Sequence, residues 1–289
     1  MFTEPMPREA VRICEELMTT GYCVVPGAVP AGAIASIDRS LFAHFASAPF
    51  ESQDPELSRI KRIWRLLLRA PATEQLVRHG LILNVVENIL IRGARTVQLN
   101  LAQGIARHPR DRAEIPFREQ LMWRGSDNKF EYCVNVLWPL TPSRAENGAM
   151  RIWPGSHGSD DLESALQSNG ISIELEPGDA LLYLGSTLHS AGANGSKAVS
   201  RSITIGYCLD WLKPTENPWL AYPPEVARSF SPELQALVGY RQQLTSLGSF
   251  EGQCPSVLLD PQNEAEFALN DPPCIDRCTG IPAGRKLLS

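Results

Sequence analysis

Residues 178–207 read GDALLYLGSTLHSAGANGSKAVSRSITIGY. Two apolar runs, 179–184 and 202–209, have the length and the aliphatic and β-branched content of short strands. Between them stands one histidine, His189, and at the head of the second run one arginine, Arg201. An imidazole at the end of one strand and a guanidinium at the start of the next can hold one face of a metal ion and clamp the far carboxylate of a small diacid. A histidine in an ordinary surface hairpin would read the same way from this stretch alone. The decision therefore rests on what surrounds it.

Upstream, RTVQLNLAQ (95–103) alternates polar and apolar residues as a half-buried strand does. KFEYCVNVLWPL (129–140), AMRIW (149–153) and residues 171–175 supply further short strands, with Pro, Gly and the Asn147-Gly148 turn between them. This spacing predicts an antiparallel sandwich or barrel. The first third reads differently. Residues 7–20, 31–45 and 73–91 carry apolar positions at three- and four-residue steps, the last interrupted at Gly80, and predict helices. Residues 22–25 are β-prone, and 51–68 give no clear pattern. Downstream, 223–230 and 232–240 predict short helices, the second capped by Ser231 with Pro232 at its first position. The expectation is a single domain, mainly β with flanking helices: a helical front over 1–94, a β core over 95–212 and a helical or extended C-terminal segment over 213–289.

With 289 residues, 43% hydrophobic and 20% charged, the composition is that of a globular chain with a sizeable core. A net charge of -5 gives no electrostatic case for nucleic acid. No apolar run is long enough to cross a bilayer, and the first residues, MFTEPMPREA, lack the apolar region of a secretory signal. A cytoplasmic protein is expected, and the seven scattered cysteines do not suggest a disulfide framework. Cys274 and Cys278 form one close pair with no second pair beside them, so free thiols are expected there.

NGAMRIWPGSH (147–157), the distal histidine segment GDALLYLGSTLHSAGAN (178–194), the run from 201 to 240 and the opening TGYCVVPGAVP (20–30) together resemble the phytanoyl-CoA dioxygenase-like family, in particular its fungal secondary-metabolite tailoring members. The resemblance implies a double-stranded β-helix (jelly roll), Fe(II) held by two His and one carboxylate, and 2-oxoglutarate as co-substrate. It assigns His189 as the distal iron ligand and Arg201 as the clamp on the co-substrate's far carboxylate.

The other two ligands of such a site come as His-x-Asp, within a Gln-x-Leu-His-Arg-Asp string. The string here is matched to Gln120-Leu121-Met122-Trp123-Arg124-Gly125, so Trp123 and Gly125 take the ligand positions. Gln120 is retained as a weak co-substrate contact. An indole nitrogen only donates, and glycine has no side chain. Asp127, two residues on, is a candidate replacement carboxylate, and His108 is the other histidine considered for completing a site. A tryptophan at 123 is expected to fill a vacated metal pocket.

Selective loss of the His-x-Asp pair leads to three readings. The first is a non-catalytic subunit, a pseudoenzyme paired as a heterodimer with an active homologous dioxygenase that acts on a terpenoid or meroterpenoid. The second is an active oxidoreductase with a non-standard iron site, or a metal-independent isomerase or cyclase. The third is a diacid binder without turnover.

Overall fold

The computed structural model describes residues 6–54, 58–123, 130–157, 170–242 and 247–261, with short pieces at 166, 275–276 and 281–282. The front of the chain is helical as its periodicity predicts. Helix α1 (Arg8–Thr20) buries Ala10, Ile13 and Leu17 and stops at Gly21, whose φ of 87° is left-handed. A Cβ at Gly21 would also lie 2.3 Å from Thr187 Oγ1, so the stop requires glycine for space as well as for backbone. Helix α2 (Ala31–Ser47) buries Ile34, Ile37, Leu41 and Phe45. The helix expected over 73–91 is broken: a single turn at Glu74–Val77 is followed by α3 (Gly80–Leu90). The break falls at His79, which adopts extended backbone geometry while its Nε2 meets the Ala28 carbonyl at 3.0 Å.

The core is a six-stranded antiparallel sheet in the order β1 (Tyr22–Val25), β7 (Ala180–Leu184), β4 (Cys133–Pro139), β9 (Ser200–Leu209), β3 (Val97–Arg107), β2 (Ile60–Ile63). A second sheet runs β6 (Ile171–Ser172), β5 (Met150–Ile152), β8 (His189–Ala191). Phe117 pairs with His189 and extends that sheet by one more segment. Two antiparallel sheets with helices against the outside form the sandwich that the strand spacing predicts and the jelly roll that the family resemblance implies. Strand β2, with sequence IKRI, is the element that gave no pattern: two charged residues between two isoleucines resemble a solvated turn until β3 is seen beside them.

Strand alternation sorts the major sheet into two faces. Val134, Val136 and Trp138 of β4, Leu182 and Leu184 of β7, and Ile203, Ile205 and Tyr207 of β9 join the main apolar core with the helices. Leu137, Leu181 and Tyr183 point the other way, into a smaller cluster with Ile152 of β5 and with Ile173 and Leu175, which follow β6. In β3 a register shift between Leu99 and Leu101 changes the phase, so Leu99 precedes it and Ala102 follows it on the helix side. β3 is not half-buried as its alternation suggests. Its polar residues Asn100 and Gln103 are buried too, because the side opposite the helices is an interior rather than solvent.

Among its described residues the C-terminal segment carries the short α-helices Pro218–Ala221, Pro224–Ala227 and Pro232–Leu237 and a 3-10 helix at Pro255–Leu259, where two helices were expected. Ser231 caps the last of them, accepting from the Leu234 N–H, with Pro232 in its first turn. Cys14, Cys23, Cys133, Cys208 and Cys254 are free thiols, while Cys274 and Cys278 lie outside the described residues. Among the described residues no helix is long and apolar enough to cross a membrane.

Candidate functional site between the two sheets

The interior between the sheets is not uniformly apolar. Beside the small Leu–Ile–Tyr cluster lies a polar cavity of about 110 Å³. Inward residues of β3 (Gln103, Arg107), β9 (Ser202, Thr204) and β7 (Tyr183) line it together with Arg62, Glu114, Glu119 and His189.

His189 is 2% exposed, at the start of β8. Its Nδ1 lies 2.8 Å from the Thr187 carbonyl, which can only accept, so Nδ1 carries the proton and Nε2 keeps a lone pair. Burial drives its pKa down to about 4, against the Thr187 carbonyl and the Glu114 charge, so the ring is neutral at physiological pH. Phe117 and Tyr183 hold the imidazole from two sides, each with its ring centroid 4.6 Å away.

Two guanidiniums and their acids occupy the same space. Arg107, 5% exposed, pairs with buried Asp111 and, at 2.8 Å, with Glu114. Arg62 reaches Glu51 and the Gln103 amide oxygen. Burial raises the Glu114 carboxyl, but Arg107 and Arg62 outweigh that and hold it below its ordinary range. Glu119 has no such partner. Burial pushes its carboxyl up to about 7, against the Asn135 amide and the more distant Arg62. Gly148, at φ 96°, makes room for this arrangement: a Cβ there would lie 2.5 Å from Arg107 Cδ. The Asn147-Gly148 turn expected from sequence is therefore also where the buried arginine crosses the chain.

The sequence-derived candidates separate on this geometry. His189 lies in the cavity. Arg201 borders it, but its guanidinium turns away, in phase with Ile203 and Ile205, and donates from Nε and Nη2 to Asp38 of α2 at 2.7 and 2.8 Å. Gln120 is buried beneath the β7–β8 turn, its N–H donating to the Gly185 carbonyl, and it does not line the cavity. Trp123 does not fill the pocket as expected. Its indole N–H donates to the Lys213 carbonyl at 2.9 Å, and its ring packs at the edge of the helix-side core. His108 stacks edge-on against Phe50 and does not line the cavity either. Gly125 and Asp127 lie outside the described residues. Sequence reasoning missed Arg62, Arg107, Glu114, Glu119 and Tyr183. The signal available for part of this set was phase: Ser200, Ser202 and Thr204 alternate with Arg201, Ile203 and Ile205, and the polar set faces inward.

A facial iron site needs two imidazoles and one carboxylate on one side of the ion. Among the described residues no group of three or more His, Cys, Asp or Glu is placed to hold a metal, and His189 is the one histidine lining the cavity. Glu114 is already matched by arginines. The described donor set does not fit the ion.

Comparison with known proteins fits the fold. The phytanoyl-CoA dioxygenase (PhyH) family matches residues 17–203. Dioxygenase cdmD of Talaromyces verruculosus is 33% identical over 151 residues, 50% of this chain and 49% of that protein, so the chain spans about half the length of that relative. Dioxygenase aneA of Aspergillus aculeatus is 30% identical over 194 residues, covering 64% of each. The iron/alpha-ketoglutarate-dependent dioxygenase penM of Penicillium thymicola is 35% identical over 117 residues, 39% of this chain and 36% of that protein. Among solved structures, the non-heme alpha ketoglutarate dependent epimerase SnoN from nogalamycin biosynthesis superposes with a TM-score of 0.59 at 18% identity, covering 70% of this chain and 83% of SnoN. HygX from Streptomyces hygroscopicus, solved with nickel and 2-oxoglutarate bound, gives 0.56 at 17% identity, covering 73% and 91%. These structural likenesses show the jelly roll; the family match reaches from α1 into β9, and the chain belongs to the phytanoyl-CoA dioxygenase family.

Proposed function

We propose that this chain works in secondary-metabolite biosynthesis, on the pathway of a terpenoid-like compound, as a non-catalytic subunit that pairs with an active homologous dioxygenase. The observation that carries the reading is the donor set of the cavity: one imidazole, with the neighbouring charges largely neutralised among themselves. Bidentate pairing of Arg201 with Asp38 supports it, since that guanidinium is already occupied by a carboxylate of this chain. The fungal dioxygenase relatives support the pathway class. On this reading Fe(II) and 2-oxoglutarate are held by the partner, in a cytoplasmic complex.

A second reading is favoured by one observation. Glu119, with its carboxyl raised to about 7, and neutral His189 line one cavity, a combination suited to metal-independent proton transfer in an isomerisation or cyclisation.

The test is anaerobic titration with Fe(II) and 2-oxoglutarate of the chain alone and of the chain co-purified with a homologue from its pathway. The subunit reading expects no iron on the isolated chain, one iron per heterodimer, and loss of product when this chain is omitted. Stoichiometric iron on the isolated chain with turnover-linked decarboxylation overturns it. Product formed by the isolated chain without iron selects the metal-independent reading.

A further inference from the structure

We propose that the residue closing the metal position of this barrel is Phe117, not Trp123, and that Glu119 is the carboxylate of that position, still in place. The register of the second sheet sets Phe117 directly opposite His189. The Phe117 N–H donates to the His189 carbonyl at 3.0 Å and the His189 N–H donates to the Phe117 carbonyl at 3.1 Å. Residues that exchange both bonds across an antiparallel pair are direct neighbours, and their side chains leave the sheet on the same face. The two rings accordingly stand 4.6 Å apart, and both line the cavity.

Arg118 is extended, with φ -114° and ψ 125°, so Phe117 and Glu119 point the same way, while the Arg118 guanidinium donates to the Ser156 carbonyl. Glu119 lines the same cavity and is held by the Asn135 amide. His189, position 117 and Glu119 thus converge as three side chains on one space. Two of them carry lone pairs. The third is a benzyl group, 45% exposed, whose ring stands against the imidazole on the open side of the cavity and offers no donor atom.

Trp123 has none of these relations. It lies beyond the short helical turn Glu119–Met122, bonds to Lys213 and does not line the cavity. Reading Phe117-Arg118-Glu119 as the His-Arg-Asp triplet keeps the middle arginine, keeps an acid in third place, and leaves one ligand changed instead of two. The inference concerns this chain's own cavity and does not depend on whether a partner exists.

The experiment uses Co(II) as probe on the full chain, by anaerobic equilibrium dialysis and by the visible absorption of the bound ion. The variants are Phe117→His alone, Phe117→His combined with Glu119→Gln or with His189→Ala, and Trp123→His combined with Gly125→Asp. Wild type is expected to take up no stoichiometric ion, and Phe117→His about one Co(II) per chain. Adding Glu119→Gln or His189→Ala should weaken that binding at least about tenfold. The Trp123/Gly125 pair should stay like wild type. Uptake by the Trp123/Gly125 variant and not by Phe117→His overturns the proposal, as does wild-type binding as tight as that of Phe117→His. Should Phe117→His not fold, Phe117→Ala with millimolar imidazole supplies the missing ring from solution: Co(II) uptake that depends on imidazole supports the proposal, and its absence in a folded protein overturns it.

Discussion

The two faces of the major sheet carry different kinds of side chain. On β9, Ile203, Ile205 and Tyr207 meet the helices in a closed apolar core, while Ser202 and Thr204 on the opposite side look into the polar cavity. The helix side behaves as a stabilising interior, in which every buried methyl group adds to the fold. The cavity side keeps a buried arginine, Arg107, with acids and a neutral imidazole, each of which costs desolvation unless it is paired. A sheet under pressure for stability alone would have filled that side with aliphatics. The contrast teaches that the polar part of the inner face does not follow from packing alone, since the Leu137, Leu181 and Tyr183 cluster beside it shows what packing puts there.

That contrast can be broken by mutation. Trp138 is fully buried on the helix side of β4, and Trp138→Ala should cost about 4 kcal/mol in urea denaturation. On the cavity side, Asp111→Ala removes a fully buried partner of Arg107 and should cost about 3 kcal/mol, with Glu114 left to compensate part of the charge. A loss below about 1 kcal/mol at either site would mean that the corresponding face does not hold the fold as described.

The pH dependence sharpens the comparison, because two groups of the cavity have strongly shifted pKa values of opposite sign. Glu119 has its folded pKa raised from 4.5 to about 7. Between those values the folded state holds a proton that the unfolded chain has released, so this group makes stability fall as pH rises. His189 has its folded pKa lowered from 6.5 to about 4, so the unfolded chain holds the extra proton and this group makes stability rise with pH over that window. In the metal-free wild type the two contributions oppose each other between pH 4.5 and 6.5. Glu119→Gln should therefore gain stability as pH rises from 4 to 6.5, at up to about 1.4 kcal/mol per unit. His189→Asn should lose stability from 4.5 to 7 at a similar rate. Parallel urea midpoints for wild type and both variants would refute the assignment. The smallest effect is expected from Thr204→Val, which swaps an inward hydroxyl for a methyl and should change stability by less than about 1 kcal/mol, read as a shift in the urea midpoint.

Where a stretch had its own period, the sequence was enough. α1 and α2 appear within two residues of their predicted ends, and β3, β4, β5, β6, β7 and β9 fall within the predicted runs or overlap them, while β8 (His189–Ala191) lies between two of those runs. β2 was hidden because its isoleucines are separated by Lys61 and Arg62, and its identity as a strand comes from β3. The site was less legible for a reason of phase. Arg201 is one position out of step with Ser200 and Ser202, and a single step turns a side chain from the cavity to the helices. Strings align without reference to faces, so Trp123 could stand for a ligand in the text while Phe117 stood beside His189 in space.

The order of the major sheet has a consequence for how the chain is made. β1, the first strand, pairs with β7, Tyr22 opposite Tyr183, and β3 and β4 both flank β9. Scarcely any neighbour in this sheet is a neighbour in sequence, so loop closure must precede nearly every pairing and folding is slow. During synthesis the three front helices and β3 leave the ribosome long before β9 exists to cover them. A nascent chain that has not reached residue 209 holds apolar helix faces and open strand edges with no partner of its own, and it is in this form that the protein is most exposed to aggregation and to chaperones.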